Sequence, residues 1–394
     1  MCGEAIPEVS VPGDTVGAVK ALHTSDWHVG RTMRGRSRAD EHRAVLAEIV
    51  AQAADHAVDL VLVPGDLFDV ATPTPESEQI VYRALLDLAQ VAPVVVVSGN
   101  HDNPKRFEAL QPLLDLGRVT AVSSIRPAGA GGTLDFEDLG TRVVPIPWTS
   151  QRAIVSADDL IGKDRDDNAM AYIDRMRRVI AALTDDLTTD TVNLVLAHLM
   201  MHVDASMTAG SERVAHTVFE YSLPAQVFPG SLTYVALGHL HRPQRIPAAA
   251  PIRYAGSPLQ LDFGEAGEQK SSMLIEAEPG RPVTMTELAL TAGTRLVVLR
   301  GTLGEVIAQA DAVGEAHVRV ILEEPPRVGL ADEVRRHIPG VVDVALEQRE
   351  GAAPVPTAAR LGRPPRELFG EYLELTDSDR SLVSVFDELF DEVS

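Results

Sequence analysis

The sequence predicts an α/β protein in which a large sandwich domain is followed by a smaller domain of β-α-β-α-β pattern. Between Val19 and Leu290, short runs rich in valine and leucine alternate with helical stretches. Such runs suit strands that are buried on both faces, and the helices between them indicate β-α-β crossovers. After Arg295 the rhythm changes, and at 394 residues the chain is too long for one compact domain of ordinary size.

The large domain begins with strands and helices in alternation. We predict strands at 19–23, 59–63 and 93–97, with helices at 39–56 and 76–90 between them. Further strands are expected at 142–146, 192–197, 233–237, 252–255, 272–276 and 283–288. Because the later strands are joined by shorter connections, we expect the sheets to become mixed or antiparallel there.

The small domain and the segments after it are predicted from pattern and composition. Strands are expected at 296–300, 317–322 and 341–346, with helices at 303–312 and 330–338. Residues 351–356 are rich in proline, glycine and alanine, which is typical of a linker. In the acidic tail beyond it, apolar residues recur at helical spacing, namely Leu382, Val385, Phe386, Leu389, Phe390 and Val393. The predicted divisions are an extension at 1–18, domains at 19–290 and 291–350, a linker at 351–362 and a helical tail at 363–394.

Composition and charge exclude several classes of protein. The net charge of −22 argues against a protein that coats DNA by bulk electrostatic attraction, although a metal centre and a few arginines can hold phosphates on an acidic surface. Cys2 is the only cysteine, which excludes an intrachain disulfide and a thiolate metal cluster. No apolar run is long enough to cross a bilayer, and residues 1–15 lack the features of a secretory signal. We therefore expect a cytoplasmic protein with no membrane segment.

Polar residues follow directly on several of the predicted strands, which is where open α/β sheets place their sites. A single Asp or His at such a point is usually a turn residue or a helix cap. A whole series of potential ligands is a stronger signal, because the ends of neighbouring strands converge on one rim of a sheet. In chain order the seven residues are Asp26, His28, Asp66, Asn100, His198, His239 and His241.

This set of side chains suits two divalent cations. Two ions about 3.5–4 Å apart can bind both the attacking and the leaving oxygen of an in-line phosphoryl displacement. Imidazole, carboxylate and amide oxygen without sulfur favour manganese, with iron or zinc as alternatives. Asp66 is predicted to bridge the ions, with Asp26, His28 and His241 on one of them and Asn100, His198 and His239 on the other.

His101 and Asp102 are the predicted catalytic residues. His101 is adjacent to the ligand Asn100 but is expected to point away from it, so that its ring can protonate or stabilise the leaving oxygen. Asp102 is expected to orient that ring. Trp27, between Asp26 and His28, is expected to be a core anchor rather than a platform for stacking bases.

The motifs resemble those of the calcineurin-like metallophosphoesterases. Asp-x-His, Gly-Asp, Gly-Asn-His-Asp and Gly-His-x-His occur in the order typical of that superfamily. Longer blocks are similar to the SbcD family of bacterial nuclease subunits, namely residues 23–30, 99–106, 236–244 and 254–259. The resemblance extends from about Val19 to the C-terminus.

The resemblance implies a four-layer α/β/β/α sandwich with a small α+β capping domain at 291–350 and a C-terminal helical tail. It implies a 3′-to-5′ exonuclease and endonuclease for DNA ends and hairpins in DNA repair, recombination and replication, acting at the nucleoid. DNA and an SbcC-like ATPase are the implied partners, and the implied assembly is a homodimer within a heterotetramer. The region that matches the tail binds the ATPase in that family, which makes Leu382, Phe386, Leu389 and Phe390 candidate contacts.

Other features carry weaker expectations. Basic residues after two motifs are candidates for holding the DNA backbone, with a solvated loop as the alternative: Arg31, Arg34, Arg36, Lys105 and Arg106. The segment 200–217 resembles the family's active-site loop, and some relatives carry a histidine near the metals at the position of Asp69. Two apolar sets are expected either in the core or in a helical dimer interface, namely Ile80, Leu85, Leu86 and Leu88 with Phe107, Leu110, Leu113 and Leu114.

Two alternative functions share parts of this pattern. A stand-alone phosphodiesterase for small substrates would use the same ligands but would not need the small domain and the tail. A non-catalytic scaffold that binds DNA ends would have no reason to keep His101 beside a complete ligand set.

Overall fold

The computed structural model describes residues 18–150, 165–202 and 222–347 together with Phe369, Leu373, Val383 and Phe386; of residues 165–169 it describes the backbone alone. The chain divides into two compact units, Met1–Ala345 and Leu346–Ser394. In the second unit the rings of Phe369 and Phe386 stack, with centroids 4.5 Å apart and planes at 18°. The predicted linker at 351–362 lies outside the described residues.

Strands and helices alternate through the first part of the chain. β4 and β5 consist of buried valine and leucine throughout, as expected for strands covered on both faces. The second helix begins where the Thr74 side chain accepts a hydrogen bond from Ser77 N at 3.2 Å, followed by Pro75 at the first helical position. The elements are β1 (Val19–His23), β2 (Thr32–Met33), β3 (Arg36–Ser37), α1 (Ala39–Asp55), β4 (Leu60–Val63), α2 (Pro75–Val91), β5 (Val94–Val97), α3 (Pro104–Leu116) and β6 (Val119–Val122).

The middle of the chain forms a second sheet and then returns to the first. Its elements are β7 (Leu134–Phe136), β8 (Thr141–Ile146), α4 (Arg165–Thr184), β9 (Val192–His198), β10 (Tyr234–Gly238), β11 (Gln244–Ile246), β12 (Ile252–Tyr254), β13 (Ser271–Ala277) and β14 (Thr284–Ala289). One six-stranded sheet has the order β14-β13-β1-β4-β5-β6, and the other has the order β11-β12-β10-β9-β8-β7.

The two sheets pack face to face between outer helices. Leu60 and Leu62 belong to the core between the sheets, whereas Val61 and Val63 belong to the core under α1, α2 and α3. This alternation follows from the two-residue period of a strand. On the other side, α4 packs on the second sheet through Tyr172, among others. The layers are therefore helix, sheet, sheet and helix, which is the predicted four-layer sandwich of the metallophosphoesterase fold.

A three-stranded sheet of order β15-β16-β17 follows, with its own apolar core. Thr302 and Glu305 form a capping box at the start of its first helix, in which each side chain bonds the other's backbone N–H. The elements are β15 (Leu296–Gly301), α5 (Leu303–Ile307), α6 (Ala310–Val313), β16 (His317–Leu322), α7 (Leu330–His337) and β17 (Val341–Leu346). The helix predicted at 303–312 is in fact divided into α5 and α6 at Ala308 and Gln309.

The strands predicted from the sequence occur within one residue of their predicted bounds. The prediction of mixed sheets is confirmed, because β13 pairs antiparallel with both β1 and β14, while β1, β4, β5 and β6 run parallel. The helices α3 and α4 and the strands β2, β3, β6, β7 and β11 were not predicted from the sequence. Among the described residues, none of the helices combines the length and the apolar character that crossing a membrane requires.

Candidate metal centre

Both sheets direct their predicted ligands to one edge of the sandwich. β1, β4 and β5 are parallel neighbours in the first sheet, and β9 and β10 are parallel neighbours in the second. The side chains that follow these strands meet across the two sheets. Ligand atoms of Asp26, His28 and His241 lie within 4.8 Å of one another, as do those of Asp26, Asp66 and His198.

The loops that carry the ligands have an unusual backbone. Asp26, His28 and Asp66 have φ angles of 52°, 45° and 52°, and His239 has a φ of 112°. Positive φ is costly for a residue with a Cβ atom and persists where the surrounding structure holds it in place. Here the loops after β1 and β4 pair with each other, since Asp26 N donates to Gly65 O at 3.1 Å and His28 N donates to Asp66 O at 3.0 Å.

Two glycines let the loops approach closely. A side chain at Gly99 would collide with the carboxylate of Asp66, and one at Gly238 would collide with the carbonyl of Pro64. The glycines of the Gly-Asn-His and Gly-His-x-His motifs therefore have a steric role at the centre.

One side of the centre is formed by His28 and His241. Their Nε2 atoms are 3.1 Å apart. Nδ1 of His241 faces the carboxylate of Glu265 at 3.1 Å, and Nδ1 of His28 faces the carboxylate of Asp69 at 3.5 Å. Because a carboxylate only accepts, the proton of each ring in its neutral form is on Nδ1, and each Nε2 then presents a lone pair to the other ring.

The other side of the centre is formed by His198, His239 and Asn100. Nδ1 of His198 faces the carbonyl oxygen of Pro64 at 2.8 Å, so the lone pair of its ring is on Nε2. That Nε2 lies 2.8 Å from Oδ1 of Asn100, and Nδ1 of His239 lies 2.9 Å from the same oxygen. Asn100 is exposed in the part of the chain that the structure describes.

Asp66 lies between the two sides. Its Oδ2 is 3.5 Å from Nε2 of His28 and 3.5 Å from Nε2 of His198, and its Oδ1 accepts from the backbone N–H of His101 at 2.9 Å. Within the described part of the chain, Oδ2 of Asp66 and Oδ2 of Asp26 are both buried without a hydrogen-bond partner. A buried carboxylate oxygen in this state is unfavourable unless a cation compensates for it.

The donor set fits bound cations. Nε2 of His198, Oδ1 of Asn100 and Oδ2 of Asp66 are all acceptors and face one another without a proton between them. A cation with ligands at about 2.1 Å separates neighbouring ligand atoms by about 3.0–3.4 Å. The distances of 2.8 Å, 3.1 Å and 3.5 Å between facing acceptor atoms at the centre are close to that range.

The pKa values of the predicted ligands also indicate that the centre binds cations. Burial, and then the neighbouring Asp66, raise the pKa of Asp26. Burial also acts to raise the pKa of Asp66, but His198, His28 and His101 outweigh it and lower that pKa to about 2. Burial lowers the pKa of His239 to about 3 and that of His241 to about 4. His239 and His241 are therefore neutral at pH 7, the state in which an imidazole binds a metal.

His101 lies beside the ligands and is half-buried. Its Nδ1 donates to the backbone carbonyl of Asp69 at 2.7 Å, which leaves the lone pair of a neutral ring on Nε2. Its ring meets that of His28 edge-on, with centroids 4.8 Å apart. Asp69 places Oδ1 3.3 Å from Nη1 of Arg31 as well as near His28.

The carboxylate of Asp102 bonds to backbone groups rather than to the ring of His101, and the prediction that it orients this ring needs correction. It is buried and accepts from the backbone N–H groups of Gly99 at 2.9 Å, Phe68 at 3.2 Å and Leu67 at 3.4 Å. Burial, and then Asp66, raise the pKa of Asp102 to about 7. Asp102 therefore ties the loop after β4 to the loop after β5, and the Asp69 carbonyl holds the histidine ring.

The basic residues near the motifs differ in their surroundings. Arg34 pairs with Asp343 at 3.1 Å, so that the β2–β3 hairpin contacts β17, and Arg106 pairs with Glu78. Arg36 and Lys105 are exposed. Residues 203–217 of the predicted active-site loop, and the candidate contacts Leu382, Leu389 and Phe390, lie outside the described residues.

Several residues of the site carried no signal in the sequence. Trp148 follows β8 and stacks on the ring of His239, with centroids 5.2 Å apart and planes at 21°. Glu265 contacts His241 from a loop between β12 and β13. Neither residue belongs to a ligand motif, and both reach the centre through the fold of the chain. The interpretation of Trp27 is confirmed, since it is fully buried.

Comparison with known proteins gives consistent matches. The family model of the calcineurin-like phosphoesterases matches residues 19–243. The SbcD subunit of nuclease SbcCD from Bacillus subtilis (strain 168) is 33% identical over 312 residues, which are 77% of this chain and 78% of that protein. The protein of the same name from Escherichia coli (strain K12) is 29% identical over 319 residues, 78% of this chain and 76% of that protein.

Two further matches complete the comparison. The SbcD subunit of nuclease SbcCD from Rhodobacter capsulatus is 30% identical over 359 residues, 84% of each chain. Among solved structures, a dimetal phosphatase from Danio rerio matches with a TM-score of 0.41 and 13% identity, covering 70% of this chain and 99% of that one. That structural similarity is low, and the sequence matches are the stronger finding.

Proposed function

The chain belongs to the SbcD family of calcineurin-like phosphoesterases and is a metal-dependent nuclease, and we propose that it cuts DNA at a centre of two divalent cations. Asp66 would be shared by both ions. Asp26, His28 and His241 would hold one of them, and Asn100, His198 and His239 the other. Manganese is the proposed metal, because the donor set is oxygen and imidazole nitrogen without sulfur.

The observation that carries this proposal is the convergence of acceptors. Nε2 of His28 and Nε2 of His241 face each other at 3.1 Å, and Nε2 of His198 faces Oδ1 of Asn100 at 2.8 Å. With neutral rings, neither arrangement has a proton between the facing atoms, and both border Oδ2 of Asp66 or of Asp26, which are buried without partners among the described residues. Side chains arranged in this way repel one another unless positive charge lies between them.

The reaction would divide between the cations and the side chains of this protein. When bound, two divalent ions polarise a phosphoryl oxygen and lower the pKa of a bound water. The paired loops after β1 and β4 hold the ligands in place, and Asn100, which is exposed among the described residues, would face the phosphodiester. Preorganisation of this kind stabilises a transition state because the groups need not reorient during the reaction.

His101 is proposed to act on the leaving oxygen. Its Nδ1 donates to the Asp69 carbonyl, so in the imidazolium form the second proton is on Nε2 and would pass from there to the departing alkoxide, which leaves the neutral ring with its lone pair on Nε2. Its backbone N–H also holds Oδ1 of Asp66 at 2.9 Å. The position of the ring and that of the shared carboxylate are therefore fixed by one residue.

The finer function is proposed on the family relationship. The relatives are named as SbcD subunits of nuclease SbcCD, and we propose the same place for this chain, beside an SbcC-like ATPase in DNA repair, recombination and replication. The proposed activities are 3′-to-5′ exonuclease and endonuclease cleavage of DNA ends and hairpins. Arg36 and Lys105, which are exposed, are the best candidates for contacts with the DNA backbone.

A homodimer within the complex is supported by exposed leucines on α2 and α3. The apolar residues of these helices fall into two groups. Leu85, Leu88 and Leu114 are buried in the core, whereas Leu86 and Leu113 are 40% and 65% exposed. In the proposed homodimer, Leu86 and Leu113 would be covered by the second copy of the chain. The tail, of which Phe386 is described, is the proposed site of ATPase binding.

The test is a cleavage assay with the full chain, alone and with its ATPase. A hairpin duplex and bis(4-nitrophenyl) phosphate, a small diester, would each be incubated with manganese and after chelation. We expect DNA cleavage that disappears on chelation and returns with manganese. Hydrolysis of the small diester with DNA left intact in all conditions would favour a small-substrate phosphodiesterase. Binding of DNA without hydrolysis of either substrate would favour a scaffold.

A further inference from the structure

A buried ion pair lies directly behind the proposed ligand His241. Glu265, in the loop between β12 and β13, is fully buried, and Lys270, which immediately precedes β13, is 4% exposed. Nζ of Lys270 is 2.7 Å from Oε2 of Glu265. Two charges removed from water at this depth cost several kcal/mol each, and a well-packed apolar pair is often at least as stable. A contribution to folding stability therefore does not explain why two charged residues occupy this buried position.

The two carboxylate oxygens of Glu265 have different hydrogen-bond partners. Oε1 accepts from Nδ1 of His241 at 3.1 Å. Oε2 accepts from Lys270 and from the backbone N–H of Leu261 at 3.0 Å. One oxygen therefore holds the imidazole on the side of the metal centre, and the other anchors the carboxylate to the loop.

Lys270 holds the same histidine at its backbone. Its Nζ donates to the carbonyl oxygen of His241 at 2.9 Å and to Oε2 of Glu268 at 3.1 Å. Ser257 N donates to the same carbonyl at 3.0 Å. His241 is thus fixed both at its ring and at its main chain by one buried group of residues.

The matching histidine on the other side of the centre has a different support. Nδ1 of His198 donates to the neutral backbone carbonyl of Pro64 at 2.8 Å, where His241 has an ionised carboxylate. A carboxylate behind a ligating imidazole fixes its tautomer and raises its basicity more than a neutral carbonyl does. The two sides of the centre should therefore differ in how strongly they depend on a side chain behind the ligand.

We propose that Glu265, anchored by Lys270, is a positioning residue that holds His241 with its Nε2 lone pair directed at one of the two cations, an inference that rests on the proposed two-ion centre. Glu265 touches neither the substrate nor the cation. It acts through His241, and it acts on one ion and not on the other.

The test is Glu265→Gln in the full chain, titrated with manganese in the absence of DNA. If the amide oxygen of glutamine faces His241, its NH2 group faces Lys270 and the backbone N–H of Leu261. These groups are all donors, so the two partners lose their acceptor. If the amide is reversed, Nδ1 of His241 must accept, and the proton moves to Nε2 and occupies the ligand lone pair. We expect one manganese ion to bind about 10–100-fold more weakly and the other to bind as in the wild type.

Glu268→Gln is the matched control. Glu268 also pairs with Lys270, at 3.1 Å, but its other oxygen is 3.8 Å from Arg242 and lies outside the contact between Glu265 and His241. This variant removes a carboxylate from the same network without touching the ligand. We expect its two manganese affinities to match those of the wild type.

Folding is measured separately, by thermal melting of each variant in chelator. If Glu265→Gln fails to fold, the pair Glu265→Gln with Lys270→Met removes both charges and keeps an acceptor for His241, and the same selective weakening is expected in it. Wild-type affinity for both ions, or equal weakening of both in a folded variant, would overturn the proposal. The measured quantity is metal binding and not DNA cleavage. A wild-type chain that binds two ions but cuts no DNA would therefore contradict the proposed function and leave this inference intact.

Discussion

The two sheets contribute to the metal centre in different ways. The first sheet supplies Asp26 and Asp66 from loops whose backbones pair with each other just beyond the strand ends, at positive φ. The second sheet supplies His198 and His241, whose rings are oriented by Pro64 and Glu265. The carboxylates are therefore placed by local backbone geometry, whereas the imidazoles of the second sheet are directed by residues distant in the chain.

This difference separates two kinds of support for a metal site. A carboxylate can approach an ion in several orientations, so placing its Cα atom is largely sufficient. An imidazole has one lone pair in the plane of its ring, and both its orientation and its tautomer must be set. We therefore expect changes at Asp66, or in the loops that place it, to affect both ions and changes behind the imidazoles of the second sheet to affect one ion.

The largest effect is expected at Asp66, the residue that both sides share. Asp66→Ala should abolish binding of both ions together and lower DNA cleavage by at least about 10³-fold, because one removed group serves both cations. Metal content of the purified chain by mass spectrometry, together with the cleavage rate, measures this. Retention of two ions by the variant would show that Asp66 does not bridge them.

A large loss of activity without loss of metal is expected at His101. His101→Ala should lower cleavage by about 10²–10⁴-fold, the usual contribution of general acid catalysis, with both ions still bound. The backbone N–H that holds Asp66 remains in this variant, which is why metal binding should survive. Cleavage at the wild-type rate, or loss of an ion, would contradict the role assigned to the ring.

An intermediate effect is expected at Asp102, which ties the two loops of the first sheet. Asp102→Ala leaves the buried N–H groups of Gly99, Phe68 and Leu67 without their acceptor and should lower the free energy of unfolding by about 3 kcal/mol. Both ions should bind more weakly. Urea unfolding in chelator measures the stability, with Asp87→Ala as a control on an exposed ion pair. Unchanged stability would mean that Asp102 does not hold the loops.

The smallest effect is expected at Trp148, behind His239 of the second sheet. Trp148→Ala removes a stacked ring, a contact that contributes about 0.5–1.5 kcal/mol. We expect the affinity for one manganese ion to fall by about threefold to tenfold. Trp148→Phe keeps a stacking ring and serves as the control. A manganese titration distinguishes the outcomes, and equal weakening of both ions would contradict the separation of the two sides.

The same difference explains how much of the molecule could be predicted from its sequence. The strands at 60–63 and 94–97 were predictable because a fully buried strand is a continuous apolar run, and the polar residues that follow them stand out against it. α4 was missed although it packs on the second sheet, since its apolar positions are interrupted by charged residues.

The site shows the same division. The convergence of Asp26, Asp66 and His198 followed from strand ends that meet at one edge. The residues that orient the imidazole rings could not be predicted in this way. Glu265 lies 24 positions from His241 in a loop with no motif, and the contact between them exists only in the folded chain. Asp102 was assigned to the wrong neighbour for a related reason, since adjacency in sequence suggested His101 and the fold directs the carboxylate to backbone N–H groups.

The most direct measurement of the central claim is electron paramagnetic resonance of the metal-free chain as manganese is added. Two ions that share the Asp66 carboxylate should be magnetically coupled, so that the spectrum at two equivalents differs from that of isolated manganese and the coupling vanishes in Asp66→Ala. A spectrum of isolated ions at two equivalents, or saturation at one ion per chain, would contradict a shared centre.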